Sequence, residues 1–540
     1  MNRVGTIFVG VVVGLVLCFS SLAHAAGGAI AGSVKDPSGA PFKGAFVRAR
    51  NAQTTLTMHV LSDPQGKYRM EGLPFGEYEV TIRAVGYRGE PKSAVKLSSE
   101  TPISLDFTLQ KGMVRWTDLS QYQGEKLLPE GRGRDVVLGR CMACHGFQSR
   151  IAATRQDEAG WRRDVEFMRD PNQGMGYFLR ENFTDENAAD AVAYLTNVFG
   201  MDSELARSPA DLPGYEAVKQ KFSDETLNIV YVDYELGPNR FAWNADPDDK
   251  GNVWLPYYGQ TNRIGKLNPE TGKVEEFPTP ETNSAGIHSA MAGPDGTVWF
   301  TQQATGKLGE YNPRTGKITE HRQPQTMGPD GKPRRLSRHT VRVDSKGIVW
   351  TTGSPVTRYD PKTDKFTEFW NDVPSAYGVI IDKEDNAWFA VRTGKGNIAK
   401  IDGKTLKVTK WDPPSRPRRI QVDADGIVWY GGFEAGTIGR FDPKTETFKE
   451  YPLPGPSPTP YALGVDGQGY IWYASTDTDI LGRLDPKTGK VIEYPFAYTE
   501  NTMRDFFTDA QGRVWFSSPA NSRAGYFFVR SGTPMTMANR

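Results

Sequence analysis

Val343-Asp344-Ser345-Lys346-Gly347-Ile348-Val349-Trp350 decides the fold. An Asp/Gly turn feeds an apolar strand that ends on tryptophan, and the same phrase returns down the chain. The tryptophans stand at Trp254, Trp299, Trp350, Trp388, Trp429, Trp472 and Trp515, spaced 45, 51, 38, 41, 43 and 43 residues apart. A second turn recurs within the units, as Asn268-Pro269-Glu270-Thr271-Gly272-Lys273 and Asp485-Pro486-Lys487-Thr488-Gly489-Lys490. Two hairpin turns in a period near 43 residues make a four-stranded propeller blade. Seven tryptophans predict seven blades over residues 225–540. The last unit ends one strand short after Tyr526-Phe527-Phe528-Val529, and Asn228-Ile229-Val230-Tyr231-Val232 reads as the missing strand. Pairing those ends closes the ring and removes an exposed edge.

Upstream of the repeats the period changes twice. Residues 27–112 alternate as short strands between turns such as Asp36-Pro37-Ser38-Gly39 and Asp63-Pro64-Gln65-Gly66, which predicts a small antiparallel β-sandwich. Together with Leu73-Pro74-Phe75-Gly76-Glu77-Tyr78 and Gly86-Tyr87, these motifs resemble the carboxypeptidase regulatory-like domain. The resemblance implies a seven-stranded sandwich without catalytic residues. Residues 115–205 carry helical spacing instead, with Trp161, Val165 and Met168 on one face and Thr184 as the N-cap of a second helix that Gly200 closes. Pro209, Pro213 and Gly214 mark the passage into the blades. The expected fold class is therefore mostly β and multidomain: a sandwich, an α-helical unit and a seven-bladed β-propeller.

Composition narrows the function. The 540 residues hold 65 Lys+Arg against 64 Asp+Glu, and that balance gives no reason to expect a nucleic-acid binder. Residues 1–25 read as a signal peptide, with Arg3, an apolar run Ile7 to Leu17 and small residues at Ala23 and Ala25. The expectation is a periplasmic protein with no membrane span after cleavage. With only 3 Cys, a disulfide scaffold is excluded.

Two of those cysteines form Cys141-Met142-Ala143-Cys144-His145, a C-x-x-C-H. Two thiols attach the vinyl groups of haem c, and the following imidazole ligates the iron. The segment resembles a class I cytochrome c domain. Met168 is the candidate second axial ligand, with Met175 in Gln173-Gly174-Met175-Gly176 as the alternative. Such a haem implies a periplasmic electron donor or acceptor as partner.

The repeat also serves as a ruler. Eleven residues before each blade tryptophan stand Trp243, His288, His339, Tyr377, Arg418, Tyr461 and Arg504. Equivalent positions of seven blades form a ring about the axis, here polar with aromatic walls. Lys332, Arg334, Arg335 and Arg338 before His339, and Arg416 and Arg419 beside Arg418, add positive charge. Clustered arginines favour an anionic organic ligand. Residues 225–530 resemble the virginiamycin B lyase (streptogramin lyase) family, on Gly286-Ile287-His288 followed by Gly293-Pro294-Asp295-Gly296-Thr297-Val298-Trp299-Phe300-Thr301. The resemblance implies opening of a lactone by elimination with a base histidine and a divalent metal such as magnesium. That family follows Trp-Phe-Thr with Glu; here Gln302 stands, a poorer magnesium partner. The functional expectation is a haem-c oxidoreductase whose propeller pocket binds or oxidises an anionic substrate. A carbon-oxygen lyase with an accessory haem, or a non-catalytic sensor or scaffold, is the alternative.

Overall fold

Six of the seven blades are built on an aspartate. In the turn Asp423-Ala424-Asp425-Gly426, one carboxylate oxygen of Asp423 accepts from the backbone N–H groups of Asp425 and Ile427, both at 3.0 Å. Gly426 takes φ of +81°, which a side chain would strain, and so lets the chain reverse. The other oxygen accepts from the indole Nε1 of Trp429 at 2.8 Å. The same aspartate–indole bond ties Asp248 to Trp254, Asp382 to Trp388, Asp466 to Trp472 and Asp509 to Trp515, at 2.7–2.9 Å. It is longer, 3.4 Å, between Asp344 and Trp350. Blade two has Gly293 at that position and lacks the bond.

A computed structural model describes residues 27–142, 146–170, 183–259, 261–282 and 284–530. Six four-stranded antiparallel sheets follow one another from Asp246–Pro247 to Val491–Pro495. The seventh sheet runs Phe507–Thr508, Val514–Ser518, Arg523–Val529 and then Ile229–Glu235. The innermost strands touch in succession, and the first, Asp246–Pro247, touches the last, Phe507–Thr508, so the ring is closed. The strand expected at 228–232 occupies its predicted place, pairing Val230 with Phe528 and Val232 with Tyr526.

That strand does not end the sheet. Its free edge pairs with Leu56–Leu61 of the N-terminal β domain, Tyr231 opposite His59, so one eight-stranded sheet runs from blade seven through Phe46–Asn51 and Gly76–Arg83 to Lys92–Leu97. The second sheet of the N-terminal domain, centred on Gly27–Lys35, packs across it. The core between them joins Ile30, Val47, Met70 and Val80 to Val232 and Tyr526 of the propeller.

The intervening segment folds as short helices, among them Gln121–Leu127, Glu158–Arg169 and Asp185–Phe199. Thr184 caps the last, its hydroxyl accepting from the Asn187 N–H at 3.1 Å. Trp161, Val165, Val192 and Leu195 share one hydrophobic cluster. This helical unit sits on the propeller. The Tyr122 N–H donates to the Asp477 carbonyl at 2.7 Å, and the Ser149 N–H to the Glu500 carboxylate at 3.0 Å. No helix among the described residues is long and apolar enough to cross a membrane.

The aspartate–indole bond is open to test. Asp423→Ala strands both the turn N–H groups and a buried indole, and should cost about 1–3 kcal/mol. The measurement is the denaturant midpoint of the full chain followed by tryptophan fluorescence. Gly293→Ala, in the blade without the bond, is the comparison.

Candidate functional site

The seven positions selected by the repeat meet around the axis. Going round, the indole of Trp243 stacks on His288 with ring centroids 6.0 Å apart, and His288 lies 3.7 Å from His339. His339 lies 4.2 Å from Tyr377, and the hydroxyls of Tyr377 and Tyr461 share a short hydrogen bond. The Arg418 guanidinium lies 4.0 Å from the centroid of Tyr461 and 5.3 Å from that of Tyr377. Arg504 closes the circle, 4.4 Å from Tyr461 and 4.5 Å from Trp243.

Arg419 adds a third guanidinium, 5.1 Å from Tyr377, and donates to the Thr340 hydroxyl at 3.1 Å. One layer deeper, Arg342 pairs with Asp505 at 2.9 Å, and Arg419 approaches the same carboxylate at 3.7 Å. Asp246, also buried there, is pushed up to about 7 by burial, against the pull of Arg342.

Burial and positive charge set the ionisation of the ring. His288 is held well below the usual imidazole range, first by burial and then by Arg419 and Arg504. His339 is lowered by burial, by His288 and by Arg419 and Arg418. Both rings are therefore neutral. Burial alone would raise Tyr461, but Arg504, Arg418 and Arg419 together override it and draw the phenol down. Its partner Tyr377 moves the other way, raised by burial and by Tyr461.

A cavity of about 210 Å³ opens onto part of this ring. Arg418, Tyr461, Arg504, Phe433 and Thr502 form its propeller wall, and Gln121, Leu138, Met142, Gly146 and Gln148 of the helical unit form its roof. Asp477, Asp479 and Glu500 line it where the two meet. Burial pushes Asp479 up to about 7 and Asp477 to about 6, and raises Glu500. His288 and His339 are not among the lining residues; His339 packs on Tyr377 and His288 on His339.

The basic mouth read from the sequence divides in the structure. Arg419 belongs to the ring. Arg338 is instead a buried brace, donating to the Gly306 carbonyl at 2.9 Å and to the Thr351 hydroxyl at 2.8 Å. Arg416 is tied to Glu434 at 3.1 Å, and Arg334 lies over the Trp370 ring. The sequence missed the roof and the acidic seam, because neither repeats with the blades.

Of the haem positions, Ala143, Cys144, His145 and Met175 lie outside the described residues, as does the signal segment 1–25. Cys141 is half-buried against the helical core, and Met168 is half-buried at the end of Glu158–Arg169. The indole Nε1 of Trp161, in the same core, is buried without a hydrogen-bond partner among the described residues. A haem carboxylate would satisfy such a donor, so these residues fit the group. Magnesium fits less well. Gln302 is fully buried, its amide nitrogen donating to Glu320 at 2.6 Å and its oxygen accepting from Thr305 at 2.8 Å. Among the described residues no cluster of three His, Cys, Asp or Glu is placed to hold a metal.

Known proteins share parts of this architecture. Residues 29–110 match the carboxypeptidase regulatory-like domain, and residues 367–532 match the virginiamycin B lyase family. The second match spans Tyr377, Arg418, Tyr461 and Arg504 but not Trp243, His288 or His339. A streptogramin B lyase structure aligns with a TM-score of 0.50 at 21% identity, over 57% of this chain and 100% of that one. A selenomethionine-substituted virginiamycin B lyase from Staphylococcus aureus gives 0.48 at 22%, over 55% and 98%. At 21% identity the likeness shows the propeller fold alone. Among curated proteins none matches the chain.

The neutral histidines yield a checkable outcome. An unfolded histidine takes a proton below about pH 6.5, whereas His288 and His339 in the fold resist it. Each therefore weakens the fold as pH falls below that value. Their imidazole NMR signals should stay neutral at pH 5, and His288→Gln should lose less stability than the parent between pH 7 and pH 5.

Proposed function

We propose that the ring pocket binds a small anionic organic molecule and removes a proton from it, the chemistry of an eliminating carbon-oxygen lyase. One observation carries this reading: Arg418, Arg504 and Tyr461 face a single cavity of about 210 Å³ beneath a roof supplied by another part of the chain. Arginine side chains hold carboxylates by paired, charge-assisted hydrogen bonds. A roofed cavity excludes water and strengthens those bonds. In an elimination, a base takes the proton beside a carbonyl, the C–H pair becomes a C=C bond, and the C–O bond breaks with its electrons leaving on oxygen. The guanidiniums stabilise the negative charge that develops. The virginiamycin B lyase match over four blades, which includes four of the ring positions, supports the same class.

A second reading is favoured by Cys141 and the unpartnered indole of Trp161. In it the helical unit is a cytochrome c domain holding covalent haem through Cys141 and Cys144, with His145 and Met168 (or Met175) on the iron. The haem would supply one-electron transfer to a periplasmic partner, and the pocket would oxidise its anionic ligand.

Malonate, a small dianion whose CH2 lies between two carboxylates, serves as probe. Calorimetry on the full chain should show binding, weakened about 10- to 100-fold in Arg418→Gln and in Arg504→Gln, the worth of a charge-assisted hydrogen bond. Affinity unchanged from the parent in both variants would place the anion elsewhere. For the second reading, protein made in a host with haem-maturation machinery should stain for haem on a denaturing gel, and Cys144→Ala should stain far less.

A further inference from the structure

We infer that Tyr461 rests as a phenolate clamped by three guanidiniums and is the proton acceptor of the cavity, a role the family resemblance gives to a histidine. The inference rests on the anion reading of that cavity. Its basis is the geometry of the wall. Tyr461 lines the cavity and His288 and His339 do not. A base must come within hydrogen-bond reach of the proton it takes, and of the ring's neutral bases and phenols only Tyr461 meets the open space.

The surroundings of the phenol favour its anion. Arg418, Arg504 and Arg419 place their guanidinium carbons 4.0, 4.4 and 5.7 Å from its ring centroid. The Tyr377 hydroxyl bonds directly to the Tyr461 oxygen. Phe433 packs edge-on against its ring at 5.8 Å. The other titratable groups on the cavity are Asp477, Asp479 and Glu500 at the seam with the roof. Burial moves all three toward the neutral acid, which weakens their opposition to a phenolate. Tyr461 is itself only 4% exposed. Three cations with one phenolate still leave net positive charge for the ligand.

The step balances without a co-reactant. The phenolate oxygen takes the proton from the ligand carbon and becomes a phenol, with Tyr377 as its hydrogen-bond partner. The C–H electrons form the C=C bond, the C–O electrons leave on oxygen, and the phenol returns its proton to that oxygen. Tyr461 ends as it began.

The test begins without ligand. Full-length protein carrying tyrosine labelled at the ring carbon bearing oxygen is titrated by NMR. One tyrosine should ionise at about 7, well under the ordinary ~10. That signal should vanish in Tyr461→Phe and survive in Tyr377→Phe, while Arg504→Gln should move the step upward. Deuterium exchange into malonate is then followed in the same proteins. Tyr461→Phe should lose about 10²–10⁴ in rate, and His288→Gln only a few-fold. Absence of a low-ionising tyrosine, or a step that persists in Tyr461→Phe, overturns the phenolate. Loss of exchange in His288→Gln with Tyr461→Phe unaffected returns the role to the histidine. A wild type with the phenolate step that neither binds nor exchanges malonate overturns the anion reading, and the acceptor role falls with it.

Discussion

Strand Ile229–Glu235 is shared, and the architecture depends on that sharing. One edge closes the propeller against Arg523–Val529 and the other carries the N-terminal β domain through Leu56–Leu61. A strand with partners on both edges exposes no backbone for aggregation. At its centre Asp233 is wholly buried, with Arg523 at 2.7 Å, His59 at 2.9 Å and the Tyr498 hydroxyl at 2.9 Å. Burial alone would raise this carboxyl, but His59 and Arg523 hold it down to about 2. A buried charge is tolerable only when fully paired, and removing one partner of such a group typically costs 3–5 kcal/mol. Asp233 draws its partners from both domains and from the propeller's last blade, so ring closure and docking of the N-terminal domain are coupled.

How much of this was legible follows from what repeats. The aspartate turns and blade tryptophans recur because six of the seven blades use the same bond between a carboxylate and an indole. That made the period, the blade count and the closing strand readable. The offset of eleven residues found the ring for the same reason: a fixed distance from a fixed core residue is a fixed height along the axis. Arg338 was misread because charge alone does not say which way a side chain points; its guanidinium turns inward to Gly306 and Thr351. The roof escaped because contacts such as Ser149 to Glu500 join residues 351 positions apart, with no shared motif. His59 pairs with Asp233 of a distant segment, and only the fold brings them together.

The roof changes what the ring can do. An open ring of arginines and tyrosines would be a hydrated anion patch, with each charge screened by water. Covered by Gln148, Met142 and Leu138, the same groups act through a lower dielectric, where charge–charge terms grow severalfold. The cost of burying so many polar groups is visible in the atoms left without partners, including Nδ1 of His288, Nε1 of Trp243 and Nε of Arg418 and Arg419. Stability alone does not favour such a cluster, since each unsatisfied donor costs about 1–3 kcal/mol. The blades carry orphan polar atoms too, on Tyr257, Arg358 and Asn397, but those of the ring stand beside the cavity, where a ligand could satisfy them.

Glu500 ties the ring's loop to the roof. Its backbone takes φ of +64°, a strained value for a residue with a side chain, and its carboxylate reaches across to the Ser149 N–H of the helical unit. Glu500 also follows Tyr498, which anchors Asp233, and precedes Arg504 of the ring. A single loop, 498–504, thus touches the shared strand, the roof and the ring in succession. Strain stored there persists only because all three attachments determine its path. The ring's geometry is therefore set by the N-terminal domain and the helical unit as well as by the blades, which gives a physical reason for three dissimilar segments to travel in one chain.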